Sequence, residues 1–387
     1  MHILEIPSFF PPYGGEFCLE QAKALKNEGH EVRILSNVQL SVKRSIRQFL
    51  TLPRGSRFQT SCGMEVYQTF MRGMPKVVRP NVRRWLNIVQ RMYATYELRY
   101  GRPDVIHAHC AKWAGVAAML IGRQQQVPYV ITEHLSSEIF REEFGEHYEA
   151  AWQVPMLRAA YQSAQNVVMV SSEQADDLAP FFGKDYHHVV ISNIIDTDFF
   201  AFRERPPLDG REYVFCCVAH FIPLKGYDVL FRAFELLRSR GCRARLLIAG
   251  NGTQGRPCTR QMKRLAPSGG ITALGQLSRE EVRQLLYQSD CMVLASRSEA
   301  QPLSLLEAMS TGIPYVATSC IPQSMRIEGA SHIVAMDDVN ALADAMMERC
   351  SETAIDGRRI AGKVKDMASP WMVGRSLSAV LEQAAQP

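Results

Sequence analysis

Short apolar strands alternate with helical patterns twice along this chain, and that double alternation confines it to the doubly wound α/β folds. The first half reads as strands near His2 to Pro7, Val32 to Ser36, Met64 to Phe70, Asp104 to His109, Tyr129 to His134, Asn166 to Ser172 and Val189 to Asn193. The second restarts at Tyr213 to Ala219 and continues with Ala244 to Gly250, Ile271 to Gly275, Cys291 to Ser296, Pro314 to Thr318 and His332 to Val334. Several of these are continuous apolar runs, as expected of parallel strands covered on both faces. At 387 residues, 47% of them hydrophobic, the chain can bury two cores. The pattern predicts one domain over 1–197 and another over 198–368. The strand-poor stretch Asp196 to Gly210, carrying Pro206 and Pro207, is the expected hinge. A final helix follows from about 369 to 387.

Composition removes several classes. The start, Met1-His-Ile-Leu-Glu-Ile-Pro7, runs directly into a strand without the pattern of a signal peptide, and no apolar run approaches membrane-spanning length. The 10 cysteines include no C-x-x-C pair, which fits buried thiols better than a disulfide framework or a zinc site. A cytoplasmic chain is expected. The net charge is only +5, but it is concentrated. Lys43, Arg44, Arg47, Arg54, Arg57, Arg72, Lys76, Arg79, Arg83, Arg84, Arg91, Arg99 and Arg102 face only Glu65 and Glu97. Within this region Val82, Trp85, Leu86, Val89, Met92, Tyr93 and Tyr96 recur at helical spacing, so the stripe packs on its own sheet while the basic face meets solvent or an anionic membrane.

Chemistry concentrates at the strand ends. Glu299-Ala-Gln-Pro-Leu-Ser-Leu-Leu-Glu307 sets one carboxylate before a helix and another inside it, with Pro302 opening the first turn. The amides near Leu303 and Ser304 would face an anion at the positive helix end, while each carboxylate accepts from paired sugar hydroxyls. Lys225 follows the strand Tyr213 to Ala219 and is positioned to neutralise a diphosphate in the same crevice. Gly250-Asn251-Gly252 and Gly275-Gln276-Leu277 are further strand-end loops, each compatible with a nucleotide base or with a plain turn. Pro11-Pro-Tyr-Gly14-Gly15 joins the first strand to a helix and allows close backbone approach to a ligand. It is not the G-x-G-x-x-G of a nicotinamide site. His134 ends one strand, and His107 and His109 end another. The two share a strand face with no evident carboxylate to complete a metal shell, so no metal is expected. Asp196-Thr-Asp198 is read as structural.

Taken together, the ordered motifs resemble the retaining glycosyltransferases of family 4, which have the glycosyltransferase-B fold of two Rossmann-like domains. The matching pieces are PPYGG at Pro11 to Gly15, GHEV at Gly29 to Val32, DVIHAH at Asp104 to His109, TEH at Thr132 to His134, SNIIDTDFF at Ser192 to Phe200, KG at Lys225 and Gly226, and EAQPLSLLEAMSTGIPYVAT at Glu299 to Thr318. The resemblance implies that the first domain binds the acceptor, the second binds the nucleotide sugar, and the last helix crosses back to the first domain. It further implies that Glu307 holds the ribose, Glu299 the donor sugar's hydroxyls, and Lys225, Gly15 and the amides of Leu303 and Ser304 the diphosphate. His134 would lie beside the donor sugar. The family usually has an arginine where this chain has His220, so the diphosphate clamp departs from the family pattern; Arg256 and Arg260 are candidate substitutes.

The expected activity is transfer of a sugar from a nucleoside diphosphate donor to an acceptor hydroxyl, with retention and without a metal or other cofactor. The expected partners are the nucleotide sugar and a glycan or lipid-linked acceptor of surface polysaccharide assembly, not nucleic acid. Arg79, Arg83 and Arg84 are the candidates for meeting the acceptor or the cytosolic membrane face. Two rivals remain: a nucleotide-sugar epimerase of the same fold, and a non-catalytic basic protein that binds membranes or polyanions.

Overall fold

The computed structural model describes residues 1–386 except 12–13, 42–45, 52, 54, 146, 206 and 353–354. Of the expected features, Pro12, Tyr13, Lys43, Arg44, Arg54 and Pro206 therefore lie outside the described residues. The chain divides into two compact units, Met1–Ile194 with Pro370–Pro387, and Ile195–Ser369.

The first unit is built on an 8-stranded sheet in the order β3-β4-β2-β1-β5-β6-β7-β8. Its strands are β1 His2–Pro7, β2 Glu31–Ser41, β3 Ser56–Ser61, β4 Met64–Gly73, β5 Val105–His109, β6 Tyr129–Glu133, β7 Asn166–Met169 and β8 His188–Val190. The helices are α1 Glu16–Asn27, α2 Ile46–Thr51, α3 Val78–Tyr100, α4 Val116–Gln125, α5 Ser137–Phe144, α6 Gln153–Gln162 and α7 Gln174–Phe182. All pairings are parallel except β3 with β4. On one face of the sheet α3 buries Val82, Trp85, Leu86, Val89, Met92, Tyr93 and Tyr96, the stripe expected from its helical spacing. Leu19, Ala22 and Leu25 of α1 form a separate core with Val373, Leu377 and Leu381. Those last residues belong to α14, Pro370–Ala385, so the final helix of the chain packs within the first unit. A hydrogen bond of 2.6 Å between His30 Nε2 and Ser378 Oγ ties it there.

The second unit carries a 6-stranded parallel sheet in the order β11-β10-β9-β12-β13-β14. These strands are β9 Tyr213–Val218, β10 Ala244–Ala249, β11 Ile271–Gly275, β12 Cys291–Leu294, β13 Tyr315–Thr318 and β14 Ser331–Val334. Its helices are α8 Tyr227–Ser239, α9 Arg256–Leu265, α10 Arg279–Gln288, α11 Leu303–Ser310, α12 Val339–Ser351 and α13 Gly357–Ala368. Cores on both sheet faces explain why β12 is uniformly apolar, why β13 is apolar up to Thr318, and why both are fully buried. Ser278 opens α10 with a capping box: its hydroxyl accepts from Glu281 N, and the Glu281 carboxylate accepts from Ser278 N at 2.7 Å.

Two features of the structure differ from what the sequence predicts. The edge strand β3 escapes prediction, because Ser56-Arg-Phe-Gln-Thr-Ser61 is polar and largely exposed and so lacks a buried strand's signal. The stretch expected as a hinge is packed against the second unit rather than free of it. Phe200 is buried in that unit's core, and the Arg205 guanidinium donates to the carbonyls of Ser289 at 2.9 Å and Leu286 at 3.2 Å.

Candidate functional site

In an open parallel sheet, ligands collect where the strand order reverses, beyond the carboxyl ends of the strands. In the second unit that reversal lies between β9 and β12, the strands that deliver Lys225 and Glu299. Lys225 closes a 3₁₀ turn, Pro223–Lys225, just after β9. Its Nζ donates to Glu299 Oε1 at 2.5 Å, and Ser296 Oγ donates to the same oxygen at 2.6 Å. Glu299 is thus oriented from two sides immediately before α11. Pro302 takes the cap position rather than the first helical turn, with extended backbone, so the amides of Leu303 and Ser304 head the helix. Glu307 lies within α11 and is partly exposed.

Arg297, which the sequence reading overlooked, bolts these two loops together. Its guanidinium pairs with Asp228 at 2.9 Å and Asp337 at 2.7 Å and donates to the Pro223 carbonyl at 2.6 Å, while its amide donates to Leu224 O at 2.7 Å. The Glu299 loop is thereby fixed to the turn that carries Lys225. Gly226 makes this approach possible. It has φ 60°, and a Cβ there would lie 1.9 Å from the Ala295 carbonyl oxygen.

The other expected donor residues of this unit surround the same strand ends. His220 is exposed, and its Nδ1 accepts from Asn251 N at 3.3 Å. Gly250 directly follows β10, but its amide is committed to Gly275 O at 2.7 Å. Gln276 is exposed between β11 and α10, and Arg256 and Arg260 are exposed on α9. Asp196, read from the sequence as structural, accepts from Phe199 N at 3.0 Å and from Arg279 at 3.3 Å.

In the first unit the strand order reverses between β1 and β5. There the sequence reading missed a carboxylate: Glu5 of β1 lies directly beside His107 and His109. It was hidden because the partnership crosses between strands far apart in sequence. Glu5 is fully buried, 3.0 Å from His107 Nδ1 and 2.6 Å from His109 Nε2. His107 Nε2 meets Thr132 Oγ1 at 2.7 Å, and His109 Nδ1 meets His134 Nε2 at 3.4 Å. The three side chains are close enough together to hold an ion, yet hydrogen bonds already account for every one of their ring nitrogens. Burial alone would raise the Glu5 carboxyl, but the histidines facing it hold it down to about 2.

His134 follows β6. Its Nδ1 lies 2.9 Å from Asn193 Oδ1, and its ring stacks on Phe17 with centroids 3.9 Å apart. Burial, reinforced by His109, pushes it well below the ordinary imidazole range. Gly15 caps α1 at φ 88°, where a Cβ would meet Phe9 O at 2.1 Å. Arg79, Arg83 and Arg84 are exposed on α3, with Arg79 lying 5.5 Å over the Trp152 ring. No described helix is long and apolar enough to cross a membrane.

Comparison with known proteins adds what geometry alone does not. A family model described as Glycosyltransferase Family 4 matches residues 14–199, and one described as Glycosyl transferases group 1 matches 212–352. TuaC of Bacillus subtilis (strain 168), named as a teichuronic acid biosynthesis glycosyltransferase, is 26% identical over 89% of this chain and 88% of its own. Other curated relatives align over 53% to 62% of their own lengths. Among solved structures, sucrose-phosphate synthase from Thermosynechococcus elongatus superposes with a TM-score of 0.80 at 17% identity, covering 99% of both chains. HepE of Anabaena, in complex with UDP and glucose, gives a TM-score of 0.73 at 17% identity, also over 99% of both chains. Two family models in tandem, a relative aligned along nearly the whole chain and two parallel α/β units lead to one assignment: the chain belongs to glycosyltransferase family 4 and has the glycosyltransferase-B fold.

Proposed function

We propose that this glycosyltransferase moves a sugar from a nucleoside diphosphate sugar to an acceptor hydroxyl with retention of configuration. The observation that carries the reading is the contact between Lys225 Nζ and Glu299 Oε1 at the open end of α11, where the strand order reverses. A donor exchanges partners with this pair. Its diphosphate takes the Lys225 ammonium and the helix amides of Leu303 and Ser304, which offset the charge building on the leaving group. Glu299, still held by Ser296, then accepts from sugar hydroxyls. Glu307 takes the ribose hydroxyls, and Gln276 borders the base. In the first unit Gly15 offers a backbone amide suited to an anion, and His134 an imidazole ring suited to a sugar.

Because Lys225 and the helix dipole supply the positive charge, the reaction needs no metal, and a chelator leaves turnover unchanged. A donor of the uridine class is supported by the HepE complex with UDP and glucose. A glycan or lipid-linked acceptor of surface polysaccharide assembly is supported by the relative named for teichuronic acid biosynthesis. The exposed Arg79, Arg83 and Arg84 meet the anionic membrane face on which such an acceptor resides. Each contributes about 1 kcal/mol there, so neutralising all three charges weakens binding to anionic vesicles roughly 100-fold at low salt. Equal vesicle binding by the neutralised variant, together with full activity on soluble acceptors, would remove the membrane from this account.

The direct test incubates the protein with uridine, guanosine and adenosine diphosphate sugars, with and without a membrane lipid extract, and measures nucleotide release. Release from one donor that rises with extract and disappears in Glu307→Ala supports transfer. Conversion of the donor to an isomer without any acceptor would point to epimerisation instead.

A further inference from the structure

Behind His134 lies a buried chain of polar side chains that the donor-binding reading does not use. It runs from Thr132 Oγ1 through His107, Glu5 and His109 to His134 and ends on Asn193. Glu5, His107, His109 and Thr132 are all fully buried. A buried carboxylate that faces two imidazoles is costly to keep unless it is hydrogen-bonded and its charge is matched. The 2.6 Å contact between Glu5 Oε2 and His109 Nε2 is of the short, charge-assisted kind.

The donor and acceptor inventory leaves a consistent set of proton positions. Asn193 Oδ1 only accepts, so His134 Nδ1 carries a proton and donates to it. His134 Nε2 then holds a lone pair and accepts from His109 Nδ1–H. His109 Nε2 faces Glu5, and the carboxylate holds one proton on that contact against the burial that pushes the His109 ring toward its neutral form. His107 Nδ1–H donates to the other side of the carboxylate, and its Nε2 accepts from Thr132.

Resting on the transferase reading above, we propose that Glu5 and His109 are positioning residues that fix the tautomer of His134 and keep it neutral beside the reacting sugar. A neutral ring with its lone pair on Nε2 tolerates the positive charge that develops on the sugar, whereas an imidazolium would repel it. Other groups near His134 do not compete for this role. Glu133 accepts from the His134 and Leu135 amides at 3.0 Å and not from the ring. Cys110 is buried with its thiol pushed up by that burial, and Phe17 contributes only its ring face. Without the Glu5 carboxylate His109 can carry its proton on Nε2 and turn a lone pair at Nδ1 toward His134, which lets His134 take a second proton at Nε2.

Two measurements test this. Long-range ¹H–¹⁵N spectra of the histidine-labelled wild-type protein between pH 6 and 8 should show His134 as the Nδ1–H tautomer and a proton on His109 Nδ1. An Nε2–H tautomer on His134 would overturn the proposal whatever the protein's activity. In turnover, Glu5→Gln and His109→Leu should lower kcat at least roughly tenfold with donor KM within about twofold, and should move the acid limb of the kcat profile to higher pH. His109→Asn retains a donor near the Nδ1 position and should recover part of the loss. Folded variants with an unmoved acid limb would reduce the chain to structural packing. A wild-type protein that transfers no sugar would defeat the transferase reading, while the tautomer spectra would still decide this one.

Discussion

Gly226→Ala isolates the geometry on which the donor site depends. The substitution first places an alanine at φ 60°, a left-handed conformation that costs roughly 1–2 kcal/mol. It also puts a Cβ 1.9 Å from the Ala295 carbonyl oxygen, where nothing nearer than 3.0 Å is tolerated, so the turn and the β12 exit must part by about 1 Å. Forcing that separation adds roughly 1–3 kcal/mol. The total, about 2–5 kcal/mol, lowers the melting temperature by roughly 4–20 °C for a unit of this size. More tellingly, Lys225 and Glu299 sit on the two segments being parted, and a misplacement of about 1 Å reduces turnover on the order of 100-fold. Gly241→Ala provides the control: φ is 90° there too, but no heavy atom lies within 4 Å of the added Cβ. It should cost roughly 1–2 kcal/mol and leave donor binding intact. Thermal unfolding and calorimetric donor titration on both variants make the comparison. If the two behave alike, close approach at Gly226 is not what builds the site.

Arg297→Ala removes the ties to Asp228, Asp337 and the Pro223 carbonyl. It should destabilise the second unit by roughly 1–2 kcal/mol and weaken donor affinity about tenfold, read from unfolding midpoints and titration; a full stability loss with unchanged affinity would make it structural only. His220 stands where the family usually carries arginine, and its Nδ1 is taken up by the Asn251 amide. Restoring a permanent guanidinium with His220→Arg should tighten donor binding, and unchanged affinity would contradict this. The fold depresses the Glu5 carboxyl from 4.5 to about 2, so its ionised form stabilises the protein above pH 4.5, and that contribution is lost as pH falls through 2. It amounts to about 3 kcal/mol at most. Denaturant midpoints from pH 5 to pH 2.5 should fall more steeply for wild type than for Glu5→Gln; parallel slopes would rule this linkage out.

The parallel strands were legible because burial on both sheet faces leaves an unbroken apolar run, as in Cys291-Met-Val-Leu294. β3 was illegible for the converse reason: an exposed edge strand is chosen by its neighbour β4 rather than by its own composition. Lys225 and Glu299 could be named because each sits at a strand exit beside turn residues. The bond between them could not, since it joins positions 74 apart in sequence. Glu5 was missed on the same grounds, being 104 residues from His109, and Arg297 looked like any loop arginine until its three partners converged. The boundary between units moved from the expected 197 to Ile194. Phe200 and Arg205 give that segment packing partners which a proline-rich composition does not announce.

Calorimetric titration of the protein with a nucleoside diphosphate sugar, in wild type, Lys225→Met and Glu307→Ala, tests the central claim most directly. The account predicts one donor bound by wild type, with affinity reduced at least roughly tenfold in each variant, since each loses a charged contact to the ligand. Binding that survives both substitutions, or a folded wild-type protein that binds none of the uridine, guanosine or adenosine donors, would contradict it.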